Sequence, residues 1–228
     1  MTGGEALTRK HNAERTRADI IEIATREFAD RGYAGARVDE IAARTRTTKR
    51  MIYYYFGGKE DLFLAVLEQA YRRIRALEQQ VDVEQLEPAA ALRQLAELTF
   101  DHHEADPDFV RLVSIENIHH ADHLRRSQSR EVLSAPALDI LARIMERGRA
   151  AGQFREDLDA LDVHMIISAF CVFRGANRHT FEAIFGRDLL APSRRDHLRT
   201  MIGDLVVAHV TTLPDLAGDG AVQRGTGV

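Results

Sequence analysis

Residues 38–61 read VDEIAARTRTTKRMIYYYFGGKED. Two short helical patterns flank a tight polar turn, and the second carries Lys49, Arg50, Tyr53, Tyr54 and Tyr55 before closing on Phe-Gly-Gly-Lys. Two short helices joined this way can share a core only by crossing, which predicts a helix-turn-helix. Its second helix brings cations and aromatic rings towards nucleic acid. Such a chain regulates rather than catalyses.

The composition agrees with a helical molecule. Of 228 residues 45% are hydrophobic, enough for a buried core, while Trp is absent and Pro occurs only five times. Cys171 is the single cysteine, so no intramolecular disulfide is possible. The first twelve residues lack the apolar segment of a signal peptide. No stretch reaches the apolar length of a membrane span. A cytoplasmic protein is expected, with no membrane partner and no cofactor.

The net charge of −4 hides an asymmetry. Residues 1–59 carry a balance of +4 and the remainder −8. A basic first quarter on an acidic body predicts a local surface for a polyanion.

Helical spacing divides the chain further. Residues 18–33 place Ile20, Ile21, Ala24, Phe28 and Ala29 on one face, and Gly32 ends that run. Residues 38–44 and 48–55 follow, the second capped by Thr48 and anchored by Ile52 and Phe56. Gly57-Gly58 breaks the chain, and Lys59 opens a long helix through Leu62, Phe63, Val66, Leu67 and Ile74. Helices are then expected from Pro88 towards Glu104, over 109–118, and within 124–150, where Pro136 should kink or restart the run. Residues 161–185 are apolar nearly all round, so they must be covered. A last helix spans 194–211. The expectation is an all-α molecule: a helix-turn-helix domain over 1–59, a helical effector-binding and dimerisation domain over 60–213, and a Gly-rich disordered tail over 214–228.

A helix in the major groove reads bases with long polar side chains near its N-terminus, while cations, hydroxyls and amides hold phosphates. Thr48, Lys49, Arg50, Met51 and Tyr54 occupy the first turns of the second helix. Thr47, Tyr55 and Lys59 are placed for phosphates, Lys59 at a helix N-terminus that itself favours anions.

The series Ile20-Ile21, Ala24, Phe28, Arg31-Gly32-Tyr33, Val38, Ile41-Ala42, Thr48-Lys49, Ile52 to Phe56 and Lys59 to Leu62 resembles the DNA-binding domain of TetR-family transcriptional regulators. The resemblance implies an all-helical homodimer. In it a three-helix head binds a double-stranded DNA operator, a fourth helix links head to body, and the body binds a small-molecule effector. Two positions depart from the family pattern. Arg37 stands where Ser or Thr usually caps the second helix, removing a cap and adding a phosphate-seeking cation. Arg46 stands where the turn usually has Gly, which costs roughly 1 kcal/mol at positive φ. The body, through residues 109–119, 178–181 and 184–188, resembles the subgroup containing the nicotinate-degradation repressor. That likeness implies release by an aromatic or heteroaromatic acid.

In the body, Phe170, Arg174, Asn177 and Arg178 fall on neighbouring helical faces. An Arg and an Asn between aromatic rings suit a planar carboxylate. The same arginines could instead face an acidic neighbour such as Glu116. Phe109, Asn117 and His120 are candidates for the same cavity. The histidines 102, 103, 119, 120 and 123 with Glu116 would serve a metal-dependent hydrolase, yet His-Glu-x-x-His order is lacking. Residues 161–185 and 194–211 offer apolar faces for a four-helix dimer interface. Two heads about 34–36 Å apart would then read a palindrome, as a repressor or an activator.

Overall fold

The computed structural model describes residues 3–211. The expected tail over 214–228 lies outside them. Ten α-helices, and no strand among the described residues, account for the fold: α1 (Gly3–Gly35), α2 (Val38–Arg44), α3 (Lys49–Phe56), α4 (Lys59–Glu78), α5 (Pro88–Ala105), α6 (Pro107–Ile118), α7 (Arg130–Ala150), α8 (Ala160–Ala176), α9 (Arg178–Phe185) and α10 (Arg195–Val210). The all-α expectation holds.

The local breaks have local causes. Gly32 interrupts α1 with φ 69° and ψ 170°, a backbone that an L side chain rarely adopts. Gly57 has φ 86°, and a Cβ there would lie 2.7 Å from Asp61 Oδ2. That glycine lets α3 and α4 meet at a sharp corner.

Two expectations for the body need correction. The run over 161–185 is not one helix: Asn177 (φ −103°, ψ 7°) ends α8 and starts α9. Its carbonyl accepts from Phe181 N at 2.9 Å, which begins the new helix. Pro136 does not restart the helix: α7 runs through it unbroken from Arg130 to Ala150. The face bearing Leu133, Ala137, Ile140, Leu141 and Ile144 is buried, and that packing outweighs the roughly 3 kcal/mol cost of an internal proline.

The hydrophobic side chains form two cores. The first joins α1, α2, α3 and α4 through Ile20, Phe28, Ile41, Ile52, Phe56 and Phe63, and continues into Phe109, Val110 and Leu112 of α6. Helix α6 therefore packs with the head. The second unites α5, α7, α8 and α10 around Phe100, Leu141, Phe154, Ile167 and Ile202. A charge ladder fixes the register of α5 on α10: Arg93–Asp204 at 2.6 Å, Arg199–Glu97 at 2.5 Å and Arg195–Asp101 at 2.6 Å. As one network these pairs specify alignment better than isolated surface pairs would.

Candidate nucleic-acid interface and body cavity

Helix α3 projects from the first core on Ile52 and Phe56, leaving its other face in solvent. Thr48 caps it, its hydroxyl accepting from Met51 N at 3.2 Å. Tyr54 is 78% exposed, and Met51 and Tyr53 are exposed beside it. Arg50 is exposed as well. Lys49 reaches Asp39 of α2 at 3.2 Å and lies over the Tyr53 ring. Thr47 and Tyr55 are half-buried at the two ends of the helix, Tyr55 packing against the head core. No acidic residue stands in the first turn of α3. Cations and phenols are thus presented on one short helix.

The two unusual arginines behave as their positions demand. Arg46 takes φ 53° in the turn. Arg37 is the N-cap of α2 and its side chain makes no capping bond. The start of α2 is instead tied to α1: buried Glu27 accepts from Arg37 N at 3.2 Å. Glu27 also faces Arg31 Nε at 3.3 Å and Arg44 Nη1 at 3.5 Å. Lys59 donates to the Ala34 carbonyl at 3.3 Å and lies over the Tyr33 ring. Burial pushes its ammonium pKa down. It staples the start of α4 to the end of α1.

Where α6 ends, His120 (φ 56°) and Ala121 (φ 61°) both take left-handed backbone. Glu116, 2% exposed, holds this turn from within. Its carboxylate accepts from His123 N at 3.0 Å, Leu124 N at 2.8 Å and His123 Nδ1 at 2.8 Å. The His123 ring packs on Tyr33 of α1 and Phe63 of α4. Arg126 pairs with Glu60, and Ser127 donates to Glu68 at 2.6 Å. Two consecutive non-glycine residues at positive φ cost on the order of 1–3 kcal/mol each. The turn is strained, strapped to α4 and seated beneath the head.

Leu124 of that turn also belongs to a cavity of about 360 Å³. Its apolar wall is Leu124, Leu133, Ala137, Leu138 and Leu161. Four polar residues interrupt it: Tyr71 and Arg75 of α4, Ser134 of α7 and His164 of α8. Burial pushes the Tyr71 phenol up and the His164 imidazole down, so both are neutral near pH 7. Arg75 donates Nε to the Leu133 carbonyl at 3.0 Å and Nη1 to Glu78 at 2.7 Å. Sequence reading missed these residues. The one signal was Tyr71 and Arg75 four apart on α4, and their lining partners come from distant segments.

The seven residues expected at a ligand site do not surround this cavity. Phe109 stands behind it, its ring edge-on to Tyr71 at 5.4 Å. Asn117 and His120 are exposed at the end of α6. Phe170 packs with Phe100 in the second core. Arg174 is 4% exposed, with its guanidinium 3.8 Å from the Phe100 ring centre and Glu104 at 3.9 Å. Asn177 separates α8 from α9. Arg178 forms a two-pronged pair with Asp188 at 2.9 and 2.7 Å. An acidic partner was foreseen for the arginines. It is Glu104 or Asp188, because Glu116 is committed to His123.

The histidines do not converge either. His102 and His103 of α5 pack on Phe109, His123 serves Glu116, and His120 is exposed. Among the described residues no three His, Cys, Asp or Glu side chains are grouped to hold a metal ion. Among them, too, no helix is long and apolar enough to cross a membrane.

A capped, cationic helix on a three-helix head, joined to a helical body with a cavity, defines a helix-turn-helix transcriptional regulator. The family is shown by two matches: residues 20–66 match the bacterial regulatory proteins of the tetR family, and residues 88–206 match the tetracyclin repressor-like C-terminal domain. The chain belongs to the TetR family. It is 35% identical over 199 residues to the HTH-type transcriptional repressor NicS of Pseudomonas putida KT2440, covering 87% of this chain and 94% of that one. The fold is similar to SCO4942 from Streptomyces coelicolor, with a TM-score of 0.62 at 29% identity over 83% of this chain and 97% of that one. It also resembles the FadR regulator of Bacillus subtilis crystallised with stearoyl-CoA, with a TM-score of 0.61 at 22% identity over 85% and 98% of the two chains. That last likeness concerns the fold alone. These relatives are regulators, not enzymes.

Proposed function

We propose that this protein is a homodimeric transcriptional repressor that binds a palindromic operator and is released when a small aromatic or heteroaromatic acid enters the body. The observation that carries the reading is helix α3, whose exposed Lys49, Arg50, Met51, Tyr53 and Tyr54 stand on a head with a +4 charge balance. Repression follows the likeness to the repressor NicS, and the acid class follows the resemblance of residues 109–119, 178–181 and 184–188 to the nicotinate-degradation subgroup. Lys49, Arg50, Met51 and Tyr54 read base edges. Arg37, Thr47, Thr48, Tyr53, Tyr55 and Lys59 position the head on phosphates. The chain acts in the cytoplasm, where the operator is.

Dimerisation uses the exposed apolar ridges of α8 (Leu161, Met165, Phe173) and α10 (Met201, Leu205). Two copies of each make a four-helix interface. The effector enters the cavity between α4, α7 and α8. It displaces Leu124, the strained turn after α6 relaxes, and His123 shifts beneath Tyr33 and Phe63. The linking helix α4 then swings and the two heads lose groove spacing. Such coupling needs only 1–3 kcal/mol of differential affinity. The test is operator affinity at fixed salt with and without aromatic acids: a bound acid that leaves operator affinity unchanged sinks the mechanism.

A further inference from the structure

Building on the effector reading above, and for that same cavity, we infer that Arg75 receives the carboxylate of a single-ring aromatic acid and that Glu78 is the internal anion this acid displaces. The cavity, at about 360 Å³, is at the small end of the range for organic ligands. Its wall is apolar apart from Tyr71, Arg75, Ser134 and His164. Only Arg75 among them carries a full charge near pH 7. Its Nε is held by the Leu133 carbonyl at 3.0 Å and its Nη1 by both Glu78 oxygens at 2.7 and 2.5 Å. Nη2 makes no hydrogen bond among the described residues, although it is not one of the fully buried unpartnered atoms. Arg75 thus lines the cavity with one guanidinium nitrogen that no described residue holds.

A carboxylate binds best to two parallel N–H donors. On the Nη1–Nη2 edge it needs Nη1, and Glu78 must let go. Glu78 is 3% exposed, so a released carboxylate would be a buried, unpaired charge. It takes a proton instead. One anion replaces another beside Arg75, and each acid bound brings one proton from solvent. Burial already raises the Glu78 pKa, against the pull of Arg75.

The other titratable groups that feel Arg75 are Tyr71 on α4, His102 and His103 on α5 and His164 on α8, and Glu116 of α6 acts on Tyr71. The α7 wall contributes only uncharged Leu133, Ser134, Ala137 and Leu138. Burial holds the three imidazoles down and the Tyr71 phenol up. Glu116 stays engaged by His123. Between pH 7 and 9 the proton uptake belongs to Glu78. Acid affinity should fall as pH rises through that window, because proton uptake becomes harder.

The probes are benzoate and nicotinate, with benzamide and nicotinamide as uncharged counterparts, titrated calorimetrically into the full chain at pH 7, 8 and 9. The acids should bind at least about tenfold more tightly than the amides, and lose up to about tenfold per pH unit. Glu78→Gln should bind the acids about tenfold more tightly and without pH dependence. Arg75→Met together with Glu78→Met removes both charges at once and leaves no buried ion alone. That double variant should stay folded, lose the acids and keep its response to the amides. Equal binding of acids and amides, weaker acid binding by Glu78→Gln, or acid binding retained by the double variant would each overturn the assignment. Operator gel shifts on the same samples separate the two readings. An operator complex with no acid binding overturns the acid site and leaves the regulator. Acid binding through Arg75 without an operator complex supports the site and overturns the repressor.

Discussion

Glu27 illustrates how one buried carboxylate can tie the start of a neighbouring helix to the core. Arg37 cannot cap α2 with its side chain, so Glu40 N turns to the Arg37 carbonyl at 3.1 Å, while Glu27 accepts from Arg37's own N–H at 3.2 Å. The same carboxylate faces Arg31 and Arg44. Glu27→Ala should therefore destabilise the head by about 1–3 kcal/mol, since Arg37 N and two guanidinium groups lose their acceptor. Urea denaturation measures this, and an unchanged midpoint would count against it. His103 gives the second expectation at this scale. Burial pushes its imidazole from an ordinary 6.5 down to about 4, despite the bond from Nδ1 to the Thr99 carbonyl. Above pH 6.5 it is neutral whether folded or unfolded. Between 6.5 and 4 the unfolded chain takes a proton that the fold refuses, so stability falls as pH drops, by at most about 3 kcal/mol. Below about 4 the loss levels off. Denaturation of wild type and His103→Leu from pH 7.5 to 4 should show the flatter profile in the variant, and identical slopes would count against it.

Helix α3 carries the specificity claim at the scale of elements. Lys49→Ala and Tyr54→Ala should each cost about 1–3 kcal/mol on the operator and little on unrelated DNA. Lys59→Ala should weaken all DNA alike and also loosen the head, since Lys59 ties α4 to the Ala34 carbonyl. Equal losses on every sequence for all three would argue against base readout. The elements also separate what sequence can and cannot reveal. The head was legible because its signals are local: Thr48 three residues before the N–H it accepts from, Gly32 and Gly57 at positive φ, and apolar spacing that closes one core. The break at Asn177 was not, because Gly175 lies inside α8 rather than at its end and a polar residue in bridge-region backbone suffices. The continuity of α7 through Pro136 escaped for the opposite reason: tertiary burial overrode a strong local signal. The cavity was least legible, being assembled by α4, α7, α8 and the turn after α6. Arg174 and Arg178 had the right chemistry in sequence, but near neighbours had already claimed them.

For the whole molecule, the proposed function couples dimerisation to release. The ridge of Leu161, Met165 and Phe173 on α8 lies beside Met201 and Leu205 on α10. Met165→Asp should convert the dimer to monomer in sedimentation, with operator affinity falling by orders of magnitude as the second head is lost. Unchanged mass would move the interface elsewhere. The proposed release runs through the start of the same helix, where Leu161 and His164 line the cavity. The most direct test of the account is a gel shift of the full chain on DNA upstream of its own coding region, with excess unrelated competitor, titrated with benzoate and nicotinate. The account expects a discrete complex that competitor leaves intact and an acid dissolves. Equal binding to unrelated DNA, or a specific complex that no acid disturbs, would contradict it.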